Sequence, residues 1–119
     1  MNDQTRVVLQ RVGSVILVPV QGPVTRDLFL SLRRALLSDL ERAGARGVVF
    51  DLCGVEIMDA DDLACLREVV NAATLMGARV LLAGVQAGVA AGLVLLDADT
   101  SWAKSARTVE RALSALEDA

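Results

Sequence analysis

The sequence contains no histidine. That excludes a Ser-His-Asp or Cys-His mechanism within this chain, because both need an imidazole to carry the proton. It also argues against a zinc centre, since the two cysteines, Cys53 and Cys65, are too few for any common ligand set. No metal and no cofactor is expected. Aromatic residues are only 3% of the chain: two Phe, one Trp and no Tyr. A nucleic-acid binder built on stacking platforms would need more, and a net charge of −3 repels a phosphate backbone. No apolar stretch reaches the ~20 residues of a membrane span. No basic-then-apolar leader opens the chain, so a cytoplasmic protein that crosses no membrane is expected. Nothing in their spacing pairs the two cysteines, as suits a reducing compartment. Cys65 reads as a small buried apolar residue. Cys53, at a strand end, is left open.

What is present is aliphatic. Apolar residues make up 54% of the 119, and the mean hydropathy is +0.49. One domain spanning residues 1–119 is expected, large enough for a single core. Such richness also suggests apolar surface for self-association.

The pattern along the chain gives the order ββαβαβαβα. Residues 1–5 are polar and expected to fray. Val7 to Leu9 read as a short strand, Gly13 as a turn, and Ser14 to Gln21 as a second strand that completes a hairpin. Pro19 cannot donate to a ladder, so an unpaired or bulged position is expected there. Gly22 and Pro23 break the chain. Thr25 is a candidate N-cap for a helix over Arg26–Ala43, with Leu28, Leu32, Leu36 and Leu40 on one stripe and Gly44 ending it. Arg33 and Arg34 read as a solvated face. A second helix is expected from about Ala60 to Met76, with Leu63, Leu66, Val69 or Val70, Ala73 and Met76 inward. Arg67, Asn71 and Thr74 share its outer face. Arg79–Ala83 is a buried strand. Ala87–Leu96 is a helix weakened by Gly88 and Gly92, with Val89, Leu93 and Leu96 on one side. Thr100–Ala103 is expected as a last strand. A helix over Thr108–Glu117 closes the chain, with Val109, Ala112, Leu113 and Leu116 inward. Strands alternating with helices after a hairpin imply an α/β fold with a mixed sheet and crossover helices.

Chemistry concentrates between Ala45 and Asp62. Val48, Val49 and Phe50 form an unbroken apolar run, the mark of a strand buried on both faces. Gly54 permits a turn, and Val55, Ile57 and Met58 suggest a loop packed down on the core. Asp59 stands where a helix N-cap belongs, and Asp61 and Asp62 place charge in the first turn, where the dipole favours it. Capping accounts for these carboxylates, and contact with a partner can coexist with it. Neighbouring Asp residues on a helix point apart, which disfavours a shared divalent cation. Gly84, Gln86 and Gly88 form a strand-to-helix junction of the kind that can hold phosphate. The junction lacks the residues of a P-loop and the spacing of a dinucleotide fingerprint, so turn geometry and close packing explain it better.

The residues Gly47-Val-Val-Phe-Asp-Leu52 and Val55-Glu-Ile-Met-Asp59 resemble the central strand and loop of the STAS domain, the sulphate transporter and anti-sigma-factor antagonist family. The stretches Thr74–Val80 and Ala83–Ala90 resemble its RsbS-type members, found in the stressosome. The similarity runs from about Val7 to Leu116. It implies a non-catalytic scaffold or antagonist, no enzyme, that sequesters an RsbT-type serine kinase together with RsbR-type STAS proteins. Partner contacts are expected at Met58, Asp59, Asp61 and Asp62, and the resemblance adds the acceptor positions. It places a serine phosphoacceptor directly after the residue matching Asp59, and a second acceptor threonine of RsbR-type relatives at the position of Ala83.

The chain departs from that pattern. Ala60 and Ala83 stand at the two acceptor-equivalent positions, and neither has a hydroxyl. Three accounts of Ala60 are open: an introduced serine-to-alanine change, a natural subunit that does not switch, or an alignment offset by one residue, which meets only Asp61. A soluble anti-sigma-factor antagonist that binds its kinase one to one is the alternative function. A small-ligand binder using the Gly84–Gly88 corner is a third.

Overall fold

Val48, Val49, Phe50 and Leu52 are fully buried. A strand without a polar face must be covered on both sides, and its place in the fold supplies that cover. The computed structural model describes residues 7–96 and 99–117. Within them the strands are β1 (Gln10–Val12), β2 (Val15–Gln21), β3 (Gly47–Gly54), β4 (Arg79–Ala83) and β5 (Ser105–Ala106). The helices are α1 (Arg26–Ala43), α2 (Ala60–Leu75), α3 (Ala87–Leu96) and α4 (Val109–Glu117). The sheet runs β1-β2-β3-β4-β5, which makes β3 its centre. Strands β1 and β2 pair antiparallel as a hairpin, and every later pair is parallel. The expected order and the mixed sheet are both found.

The two faces of the sheet differ in size. Ile16, Val18, Phe50, Leu52 and Leu82 point to the larger core, where α1, α2 and α3 bring Leu32, Leu36, Leu66, Ala73 and Val89. Val15, Val49 and Ala83 point the other way, onto Ala112 and Leu116 of α4. Alternation along each strand divides them, since successive side chains leave a strand on opposite faces.

Helix α1 occupies the expected range. The Thr25 side chain accepts from Leu28 N at 3.1 Å, and Gly44, at φ 65°, closes the helix by donating its N–H to Leu40 O. A β-carbon would disfavour that left-handed conformation. The β2–β3 register slips between Pro19 and Gln21, which is the irregularity expected at a residue with no N–H.

Four expectations are corrected. The first strand is Gln10–Val12 rather than Val7–Leu9. Val7 and Leu9 instead pack against the core edge without joining the ladder, and Val8 is exposed. The last strand is Ser105–Ala106, and Thr100–Ala103 is a turn closed by Ala103 N donating to Thr100 O at 2.9 Å. Met76 is the C-cap of α2 and is exposed, because the helix ends there and the residue clears the core. In the β3–α2 loop Val55 and Met58 are buried, but Ile57 is 73% exposed. The expected fraying of residues 1–5 and the inward side chain of Leu96 lie outside the described residues.

Candidate functional site

The carboxyl end of β3, its loop and the start of α2 form one corner. Asp59 is extended, at φ −84° and ψ −178°, and caps α2. Its Oδ1 accepts from Asp62 N at 2.8 Å, while Asp62 Oδ2 accepts from Asp59 N at 3.1 Å. This reciprocal box satisfies two first-turn donors and fixes where the helix begins. Ala60 is therefore the first helical residue, and its methyl group is exposed. Intrahelical bonding and the box leave the first-turn N–H groups of Ala60 and Asp61, which point out of the same end.

Asp61 is exposed and Asp62 half-buried. Burial pushes the Asp62 carboxyl up from its ordinary value. The bond from Asp59 N opposes that rise, and the charges of Asp59 and Asp61 add to it. Glu56 is also exposed in the preceding loop, so the corner is acidic. Among the described residues no three or more Cys, Asp or Glu side chains converge as metal ligands would.

Helix α3 braces this corner from the side. A β-carbon on Gly88 would lie 2.3 Å from Glu56 O, so only glycine lets the helix approach the loop so closely. Gln86 Nε2 donates to Cys53 O at 2.5 Å and ties the start of α3 to the end of β3. The Gly84–Gly88 junction is thus occupied by protein contacts. Cys53 is exposed, and the Asp51 carboxylate beside it, through a hydrogen bond and its charge, pushes the thiol up, away from the nucleophilic thiolate. Cys65 is half-buried, and burial pushes its thiol up as well.

The structure brings Asp59, Ala60, Asp61 and Asp62 together at one exposed helix start and separates the other two expected residues from them. Met58, expected to contact a partner, is 2% exposed and packs in the larger core. Its side chain anchors the loop, and Ile57 takes the outward position. Ala83 is 0% exposed, in register with Asp51 on one side and Ala106 on the other, in the core beneath α4. A hydroxyl there would face apolar side chains.

Two surface features beside the corner were not singled out from the sequence. One is a cavity of about 170 Å³ between α1 and α2, lined by Arg26, Phe29, Arg33, Asp61, Cys65 and Glu68. Arg33 is exposed, as expected of a solvated face, and reaches Glu68 across it at 4.0 Å. The other is the outer side of α3. Ala90, Ala91, Val94 and Leu95 are all exposed, and the helix has no charged residue. Its lack of any polar face was the available sequence signal, since a helix apolar all round asks for cover on every side.

Residues 6–112 match the model of the STAS domain, and the chain belongs to that family. No curated protein matches it in sequence. Among solved structures it is similar to a serine-to-glutamate variant of Moorella thermoacetica RsbS, with 22% identity over 95% of this chain and 96% of that one, and a TM-score of 0.82. A chain of the stressosome, described as a signal integration and transduction hub, is 21% identical over 93% of this chain and 96% of that one, with a TM-score of 0.79. The anti-sigma factor antagonist SpoIIAA in its unphosphorylated form is 13% identical over 96% and 98%, with a TM-score of 0.74. At these identities the likeness establishes the fold. No described helix is long and apolar enough to cross a membrane.

Proposed function

We propose that the protein is a non-catalytic, cytoplasmic scaffold or antagonist subunit of stressosome type that holds a serine kinase at the start of α2. The observation that carries this reading is the exposed Ala60, first residue of a helix whose start is fixed by the Asp59–Asp62 box. That is where a kinase can reach a side chain without unfolding the protein. The near end-to-end structural match with the Moorella RsbS variant supports it.

In this reading Asp59, Asp61 and Asp62 contact the kinase, and Ile57 takes the contact role first expected of Met58. Ala60 occupies the acceptor position with no hydroxyl, so the subunit cannot be switched there. In a serine-bearing relative, a phosphate would add roughly −1.5 to −2 charge beside three carboxylates. The resulting repulsion would oppose an acidic or apolar partner surface and release it. The uncharged outer side of α3 supplies the apolar surface for association with RsbR-type STAS proteins and with further copies of this chain.

The test is Ala60→Ser with an RsbT-type kinase and ATP, read by intact mass, alongside light scattering of the chain with and without an RsbR-type partner. One added phosphate on the variant alone, with large particles, is the expected result. An unmodified variant would refute the site. A monomer or dimer in every mixture would favour an antagonist that binds its kinase one to one.

A further inference from the structure

At the opposite end of the sheet from Ala60, the described residues leave a gap in the pairing of strand β4. Arg79 N donates to Arg46 O at 2.9 Å, toward β3, and Leu82 N donates to Lys104 O at 2.8 Å, toward β5. Backbone groups of a parallel strand alternate between its two neighbours. Those of Val80 therefore face the β5 side, as those of Leu82 do. Strand β5 begins too late to meet them, because Ser105 already stands opposite Leu82. Continuing that register would set Ala103 opposite Val80. Instead the chain turns away at Thr100–Ala103, and Asp99 Oδ1 holds the turn by accepting from Ser101 N at 3.0 Å. Among the described residues, no backbone hydrogen bond from or to Val80 fills the gap on that side.

The vacated strand position is a groove of about 320 Å³. It is lined by Val80, by Trp102 and by Asn71 and Thr74 of α2, with the exposed Arg79 and Lys104 at its rim. Both rim cations are exposed, and neither has a carboxylate within ion-pair distance among the described residues. An open N–H and C=O on a strand edge is the recognition element of an added strand, and the side chains around it select its sequence.

We propose that this groove receives an extended, acidic segment of a partner protein, which completes the missing length of edge strand beside Val80. Its main chain exchanges hydrogen bonds with Val80, its carboxylates meet Arg79 and Lys104, and an apolar side chain lies against Trp102. The occupant is acidic because the two rim charges, which have no carboxylate partner among the described residues, are both positive. The groove lies at the amino end of β4, whereas the Ala60 corner follows the carboxyl end of the parallel strand β3. One molecule can therefore hold partners at both.

Trp102 is the only tryptophan in the chain, so its fluorescence reports on the groove directly. The probe is a blocked peptide of alternating valine and glutamate, with two controls: the same peptide with lysine for glutamate, and one N-methylated along its pairing edge. Saturable change with the first peptide alone is expected, about tenfold weaker in an Arg79→Ala, Lys104→Ala double variant that keeps its circular dichroism. By hydrogen exchange, the Val80 amide should be less protected than that of Leu82 in the free protein and become protected in the complex. No response to the glutamate peptide overturns the proposal. So does an equal response to the lysine or N-methylated peptide, or an equal response to free glutamate, which would reveal a small-anion site.

Discussion

Ala60 and Ala83 are the same residue in opposite settings. Each stands where the family resemblance implies a hydroxyl that accepts phosphate. Ala60 lies in water at the start of a capped helix, and Ala83 lies at the end of a parallel strand with no exposed surface. The methyl group on Ala60 touches little, so the position is free to carry function. The one on Ala83 fills space between Val15, Val49, Ala112 and Leu116, so that position serves the core. Family correspondence puts the two on one footing, and solvent access separates them.

The largest effect expected of this difference comes from exchanging each alanine for a hydroxyl residue. Ala83→Thr adds volume and a hydroxyl among apolar side chains and should cost about 1–3 kcal/mol. Ala60→Ser should change stability by less than about 0.5 kcal/mol, as surface substitutions do. Urea unfolding of the two variants compares them directly. A native Ala83→Thr protein that is as stable as the parent and takes up phosphate would erase the distinction.

A smaller effect tests what holds Ala60 in place. Asp59→Ala removes the acceptor of Asp62 N and should cost about 1 kcal/mol through loss of the cap. The urea midpoint should fall with an unchanged slope. The same substitution should weaken kinase binding, whereas Ala83→Gly should not. Equal kinase affinity in the parent and Asp59→Ala proteins would mean that the helix start is not the contact.

The smallest effect is electrostatic. The Asp62 carboxyl is raised in the folded protein, mainly by burial. The folded state then holds this proton more tightly than the unfolded chain does. The contribution of Asp62 is thus most favourable below the ordinary carboxylate range and is lost as pH rises through the raised value. Asp62→Asn keeps an oxygen for Asp59 N and removes the charge. It should raise the melting temperature near neutral pH, by less as the pH falls toward about 4, with water screening keeping the gain below about 1 kcal/mol. A lower melting temperature at neutral pH would show that the charged bond outweighs the burial and repulsion.

Legibility differed between the middle of the sheet and its edges. Strand β3 and helices α1 and α2 were readable because each signal is local. Both-face burial needs an apolar run, α1 needs an apolar stripe, and Thr25, Gly44 and Asp59 act within a turn of their own chain. The two outer strands were displaced. At β1 the apolar residues Val7 and Leu9 lie against the core while the polar neighbours Gln10 and Arg11 make the ladder. At β5 the ladder is two residues long, too short for a period to show. An edge strand pairs on one side only, so backbone position rather than hydrophobicity selects its residues.

The candidate site divides along the same line. The sequence alone determined a carboxylate-capped helix start with alanine as its first residue, because capping is a matter of spacing within a few residues. It determined the order of the elements for the same reason, since each carries its own period and breakers. Only the tertiary structure decided that Met58 points in and Ile57 out, that Ala83 is sealed beneath α4, and that β5 starts opposite Leu82, so that no described residue pairs with Val80 on that side. Those outcomes depend on which distant surface arrives opposite each residue, and contacts between segments far apart in the chain are set by the packing of the whole.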